Sequence, residues 1–298
     1  MHRVLIVGLG SIGLKHLAVV RKCLPRVKIM ALSKSVGPNN MPTGLDGVLR
    51  SQLDAIGFAP DLTIIANPAS FHISVAMELA KINSHLLIEK PISDSPKEVK
   101  ALISECERRQ LKLQVGYNLR FFPSLQKFKN ELQNNKIGST YIVQSEVGQY
   151  LPDWRPRADY KTSVSAQKRL GGGVLLELSH EIDYITWIFG QPKWVSGYIT
   201  KVSNLKIDVN DVALINFGME NGSIINLNLN FLRHDPKRIC EAICENGILK
   251  WDGIEQSTTY FERTSRKWKN LHREKYHFND SYERQFLSFI ANIDTNTV

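Results

Sequence analysis

Short apolar runs alternate with amphipathic stretches through residues 1–120. Val4–Val7, Val27–Leu32, Asp61–Ala66, His85–Glu89 and Lys112–Gly116 each read as a strand buried on both faces. Ile12–Cys23, Ser70–Lys81 and Ser95–Arg109 carry helical periodicity in the gaps. A Gly/Pro/Asn-rich loop, Gly37-Pro38-Asn39-Asn40, follows the second strand. Strands regularly followed by helices predict a parallel sheet with right-handed crossovers.

The pattern changes after Asn118. Helices are expected at Ser124–Asn134 and Val174–Phe189, and most of the remainder reads as strand. Ile224–Leu232 alternates Ile, Leu and Phe with Asn, which gives one dry face and one wet face. Asn221-Gly222 and Asn246-Gly247 are hairpin signals, because type I′ turns need two residues at positive φ. The fold class expected is therefore an α/β Rossmann domain over residues 1–120. An α+β domain with a mainly antiparallel open sheet follows over residues 121–298.

Composition narrows the function classes. Of 298 residues, 43% are apolar and 22% charged, as in ordinary globular chains. The net charge of +9 favours anionic ligands, but it is spread along the chain rather than gathered into a stripe or tail, so nucleic acid is not the expected partner. The basic cluster Arg263, Arg266, Lys267, Lys269, Arg273, Lys275 around Trp268 reads as a charge-protected strand edge. Four cysteines do not make a disulfide scaffold. Cys240 and Cys244 share a strand face too far apart for one metal ion, and the histidines lack metal-site spacing, so no metal is expected. No segment has the ~18 apolar residues of a membrane span. The first apolar run is cut by glycines without a signal-peptide cleavage pattern. A cytoplasmic protein with reduced thiols is expected.

Gly8-Leu9-Gly10-Ser11-Ile12-Gly13 fits G-x-G-x-x-G, and it follows a strand and opens a helix, the context a dinucleotide site needs. Gly8 permits the turn, Gly10 the approach of pyrophosphate and Gly13 close packing. The helix start at Ser11, Ile12 and Gly13 offers unpaired N–H groups. Twenty residues after Gly13, where NAD-binding proteins usually place a carboxylate, stand Ser33 and Lys34. They suit a 2′-phosphate and point towards NADP, or use of both NADP and NAD. Lys34 reads almost equally well as a solvated loop charge.

Glu89-Lys90-Pro91, following such a fingerprint, resembles the Gfo/Idh/MocA oxidoreductases, the glucose–fructose oxidoreductase and inositol dehydrogenase group. Asn67-Pro68-Ala69-Ser70-Phe71-His72 is similar to the family's stretch after the third strand. Gly171-Gly172-Gly173, with His180 and Asp183 on the following helix, resembles its second-domain motif. The resemblance implies a nicotinamide cofactor contacted around Asn67, Pro68, His72, Glu89, Lys90 and Pro91, with a cis bond before Pro91. It also implies an active site where the two domains meet, and homodimers or homotetramers built through the second-domain sheet. Gly116–Pro123, Gly148–Asp159 and Gly173–Asp183 are similar to a bacterial branch linked to surface-sugar biosynthesis, which implies a sugar or nucleotide-sugar substrate. The family's closing segment usually continues beyond the point where Val298 ends this chain, so a short C-terminus is expected.

Lys90 stands at the C-terminal end of an expected parallel strand, where open α/β sheets bind ligands. It is the first candidate for polarising a substrate hydroxyl. His180 is the candidate general acid/base, because an unperturbed imidazole titrates at about 6.5, near working pH. Glu177, His180 and Asp183 at i, i+3 and i+6 would share one helix face. The family commonly has Asp four residues before this His. Here Leu176 holds that position and Glu177 is the nearby acid, so Glu177 is a candidate for orienting His180 or binding substrate. Asp183 is read either as a substrate ligand or as the partner of an arginine. Trp154 and Tyr160 are candidates for stacking on a sugar or base, and Arg155 and Arg157 for holding phosphate. An internally pinned loop is the competing reading for all four. Tyr117, Asn118 and Arg120 follow the fifth strand and are expected to border nicotinamide or substrate. The activity expected is hydride transfer between nicotinamide C4 and a secondary carbinol of a sugar, nucleotide sugar or polyol. A non-catalytic sensing regulator and a redox-assisted glycoside-cleaving enzyme remain open alternatives.

Overall fold

The structure, a computed structural model, describes residues 1–34, 36–37, 40–134 and 136–294. Pro38 and Asn39 of the loop after the second strand, and the chain end at Val298, lie outside the described residues. The chain forms two compact units. One comprises Met1–Asn118, Arg169–Gly171 and the chain from Phe278 on, the other Leu119–Lys168 and Gly172–His277.

In the first unit, β1 (Arg3–Val7), α1 (Ser11–Cys23), β2 (Lys28–Leu32), β3 (Gly47–Leu49), α2 (Gln52–Phe58), β4 (Leu62–Ile65), α3 (His72–Lys81), β5 (His85–Ile88), α4 (Val99–Arg108) and β6 (Leu113–Val115) follow in order. The six strands form one parallel sheet in the order β3-β2-β1-β4-β5-β6. This is a doubly wound Rossmann sheet whose strand order reverses beside β1. Its central strands are buried on both faces, which is why they read as unbroken apolar runs. The expected strands and helices fall within a few residues of these elements. The exceptions are β3, too short to show a period, and α2, whose start carries a capping box between Ser51 and Asp54.

In the second unit, α5 (Pro123–Gln133) precedes β7 (Thr140–Gly148). Then come α6 (Val174–Glu177), α7 (His180–Phe189), β8 (Pro192–Thr200), β9 (Val212–Met219), β10 (Ile224–Asn230), β11 (Lys237–Cys244), β12 (Gly247–Asp252), β13 (Ser257–Glu262) and β14 (Lys267–Arg273). The eight strands form a sheet in the order β14-β13-β12-β11-β7-β10-β9-β8. Every pair is antiparallel except β7 with β10. Ile225, Leu227 and Leu229 of β10 turn into the core, while Asn226 on the other face donates to Asn216 of β9 at 2.9 Å. The helices dock through buried polar contacts. Tyr184 of α7 bonds Ser145 of β7 at 2.6 Å and meets Trp251 edge-on, and Trp251 donates to Ser124 of α5 at 3.0 Å. The charged strand β14 is the exposed edge of this sheet.

Three expectations need correction. Phe278–Asp294 (α8) does not belong to the second unit. Its Tyr282, Phe286 and Phe289 are buried in the same apolar cluster as Val4, Ile6, Leu17 and Ile29, so the helix closes the Rossmann unit. The helix expected over Val174–Phe189 is broken at Leu178–Ser179, which separates α6 from α7. Both Asn-Gly pairs do mark hairpins, but neither Asn lies at positive φ, so neither turn is type I′. At the first, Gly222 (φ 84°) donates to Met219 in a longer loop.

Candidate functional site

The site is built on the C-terminal edge of the parallel sheet. Each strand there bonds the first residue beyond its neighbour's end. Gly8 N donates to Leu32 O, Ala66 N to Val7 O, Glu89 N to Ile65 O and Gly116 N to Ile88 O, at 2.7–3.0 Å. The residues that follow, Leu9, Asn67, Lys90 and Tyr117, therefore line up along one edge, with Ser33 beside Gly8.

The glycine turn fits a dinucleotide. Gly8 has φ 90°, and a Cβ on it would lie 2.9 Å from Ala66 O. A Cβ on Gly13 would fall 2.0 Å from Gly8 O, whereas a Cβ on Gly10 would meet nothing within 4 Å. Gly8 and Gly13 are thus needed by the chain itself, and the backbone at Gly10 is open to a ligand. No side chain caps the start of α1, so its first-turn N–H groups are available to a pyrophosphate. Beside the turn, Asn67 Oδ1 and Ser70 Oγ are buried without a hydrogen-bond partner, which suits a ligand bearing donors. Ser33 is buried at the end of β2, and Lys34 is exposed next to it.

The Glu89–Pro91 turn is clamped from two helices. Glu89 Oε1 lies 2.7 Å from Nε2 of the fully buried His16, which points inward from α1. Lys90 N donates to Glu89 Oε2 at 3.3 Å, and a Cβ on Gly116 would be 3.0 Å from the same carboxylate. On the other side, the ring nitrogens of His72 lie 2.9 Å from Pro91 O and 2.7 Å from Asn67 O. Burial pushes the His72 pKa below its ordinary value. The Lys90–Pro91 bond is cis. Lys90 is half-buried at the head of this turn.

Three of the residues expected around the cofactor have hydrogen-bond partners within the unit. His72 has both nitrogens on backbone carbonyls, Glu89 faces His16 inside the unit, and the Asn118 amide donates to Ser281 of α8 at 2.8 Å. Each of these bonds braces the site from within its unit. His16 was not singled out from the sequence, although it follows Gly13 by three residues on the buried stripe with Leu17 and Val20.

In the second unit, Gly173 (φ 111°) leads into α6, and Val174 N donates to Asn210 O at 3.0 Å. Glu177 ends α6 and His180 begins α7, both half-buried, so the expected common face of Glu177, His180 and Asp183 does not lie on one unbroken helix. Helix α7 is held by the buried Glu181, which accepts from Arg238 Nε at 2.8 Å, and by Tyr184. Asp183 takes a two-pronged bond from Arg120, at 2.9 and 2.6 Å. Burial raises the Asp183 carboxyl pKa against the pull of Arg120. Arg120 also stacks over Trp187, 5.6 Å from its ring centre. The arginine-partner reading of Asp183 is thus the one seen.

The loop before the glycine triplet is partly pinned. Trp154 donates to Gln149 O at 3.1 Å and meets Phe231 edge-on, and Tyr160 accepts from Lys206 N at 3.2 Å. Arg155 and Arg157 are exposed, and neither forms a salt bridge among the described residues.

Comparisons with known proteins agree with this arrangement. Residues 2–117 match the oxidoreductase family with an NAD-binding Rossmann fold, and residues 125–250 match the GFO/IDH/MocA C-terminal domain. The chain is 26% identical to the oxidoreductase YrbE of Bacillus subtilis (strain 168), over 98% of this chain and 86% of that protein. It superposes on a levoglucosan dehydrogenase in complex with NADH with a TM-score of 0.87 at 16% identity, covering 99% of this chain and 90% of that one. The WlbA dehydrogenase of Bordetella pertussis, in complex with NADH and UDP-GlcNAcA, gives 0.82 at 19% identity, covering 100% and 89%. No helix among the described residues is long and apolar enough to cross a membrane. The Rossmann sheet, its glycine turn and the two matched domains together show that the chain belongs to the Gfo/Idh/MocA oxidoreductases and binds a nicotinamide dinucleotide.

Proposed function

We propose that the chain transfers hydride between the nicotinamide and a secondary carbinol of a sugar, nucleotide sugar or polyol, with Lys90 and His180 as its catalytic residues. The observation that carries this reading is the clamped Glu89-Lys90-Pro91 turn at the ligand-binding edge of the Rossmann sheet. Substrate class is supported by relatives named as a myo-inositol 2-dehydrogenase and a levoglucosan dehydrogenase, and by the WlbA complex.

When bound, the nicotinamide supplies a hydride acceptor or donor at C4. The Lys90 ammonium donates a hydrogen bond to the carbinol oxygen and favours its alkoxide. In oxidation the His180 imidazole takes the hydroxyl proton, and in reduction it returns that proton to the forming alkoxide. Glu177 orients His180 or binds substrate. Asp183 holds Arg120 in place, and Arg120, Tyr117, Trp154 and Tyr160 border the sugar. Arg155 and Arg157, with their charge unpaired by any carboxylate among the described residues, hold a phosphate of a nucleotide sugar. Gly8, Gly10, Ser11, Ile12, Gly13, Asn67 and Pro68 hold the dinucleotide. Ser33 and Lys34, with no carboxylate at the ribose position, favour NADP.

The sheet of the second unit supports self-association. Trp194, Tyr198, Leu214, Ile224 and Ile142 are exposed on one face. In register, Trp194 and Ile224 flank Gly218, and Ile142 lies beyond Ile224. A second copy covering this face removes apolar surface from water. Four free thiols suit a reducing compartment, the cytoplasm.

The test is a pair of variants. Lys90→Ala and His180→Ala should bind the dinucleotide within about threefold of wild type and lose about 100-fold or more in turnover, read as absorbance at 340 nm across a panel of sugars and nucleotide sugars. Undiminished turnover in either variant would remove that residue from the reaction.

A further inference from the structure

We propose that Arg50, which the sequence reading passed over, selects the 2′-phosphorylated dinucleotide. The inference rests on the NADP reading above and adds the residue that enforces it.

Strand β3 ends at Leu49, and Ser33 N donates to Leu49 O at 3.3 Å. Arg50 therefore leaves the sheet directly beside the position that contacts the adenosine ribose in a Rossmann domain. Its guanidinium turns back onto the loop after β2. Nη1 donates to Ser33 O at 2.9 Å and Nη2 to Val36 O at 2.6 Å. Two of its five N–H groups thus hold the loop backbone, and three remain. Among the described residues no carboxylate forms a salt bridge with it. The neighbouring Asp54 accepts the backbone N–H groups of Arg50 and Ser51, at 3.3 and 3.0 Å, as part of the α2 capping box.

The result is an uncompensated planar cation fixed at both prongs beside the ribose position, with the Lys34 ammonium on the adjacent loop. A carboxylate at this place would accept the 2′-hydroxyl of NAD and repel a phosphate. An anchored guanidinium does the reverse, and it needs no reordering when a dianion arrives. The same two bonds that shape the loop also aim the charge, so loop geometry and cofactor choice depend on one side chain.

The adenosine half of the cofactor tests this without any reaction. Binding of 2′,5′-ADP and of 5′-AMP is measured by calorimetry on the wild type, Arg50→Ala and Arg50→Gln, with thermal unfolding as the check on folding. The wild type should bind 2′,5′-ADP about 10-fold tighter or more, and the preference should shrink as salt rises. Both variants should lose about 10-fold of that preference while 5′-AMP binding changes less than about threefold. The ratio of the two ligands is the reading, because a merely structural arginine would weaken both alike. If Arg50→Ala binds neither ligand, Arg50→Gln decides, since it retains a donor for the loop carbonyls without the charge. A wild-type preference that survives in the variants overturns the role of Arg50 and leaves the NADP reading standing. A wild type without preference overturns both.

Discussion

Glu89 shows how a residue can brace a site through its neighbours. Its carboxylate is enclosed by His16, the Lys90 amide and Gly116, so it fixes the turn that presents Lys90. Glu89→Ala leaves the buried His16 Nε2 without its partner and should cost about 1–3 kcal/mol in urea unfolding. Glu89→Gln keeps an acceptor and should cost clearly less. Gly116→Ala drives a methyl against the carboxylate and should also cost about 1–3 kcal/mol. Equal stability of Glu89→Ala and wild type would mean that the pair does not brace the turn. The three glycines were legible in the sequence because the turn they make follows from a short local spacing, and the Lys90-Pro91 turn from a local motif. The His16–Glu89 pair spans 73 residues and the Arg50 bonds span 17 and 14, so no local window displays them. His72 and Asn118 were noticed for their positions, but their orientation is set by partners on other elements.

At the scale of elements, strands buried on both faces announced the parallel sheet, and alternation announced the second one. The destination of α8 was not legible, since an amphipathic helix at the end of a chain does not say which apolar surface it will cover. Tyr282, Phe286 and Phe289 settle it on α1, where Tyr282 meets His16 edge-on at 5.4 Å between ring centres. Phe286→Ala opens a cavity in the Rossmann core and should cost about 3–5 kcal/mol. A loss below about 1 kcal/mol by urea unfolding would show that α8 packs loosely. The break between α6 and α7 was hidden because both halves keep apolar periodicity. Its effect is to seat His180 at the first turn of a helix anchored by Glu181 and Tyr184.

For the whole molecule, the open face of the large sheet carries a prediction of assembly. Light scattering should report a dimer or larger oligomer, and Tyr198→Glu, which places a charge on the most exposed large apolar residue of β8, should shift it towards monomer. A wild type that stays monomeric at all concentrations would leave that face to some other role. The central claim is that the first unit is a working nicotinamide dinucleotide site. Calorimetric titration of the purified chain with NADPH and with NADH tests it most directly. Saturable binding of one dinucleotide per chain, tighter for NADPH, is the predicted result. No saturable binding of either dinucleotide would contradict the account at its foundation.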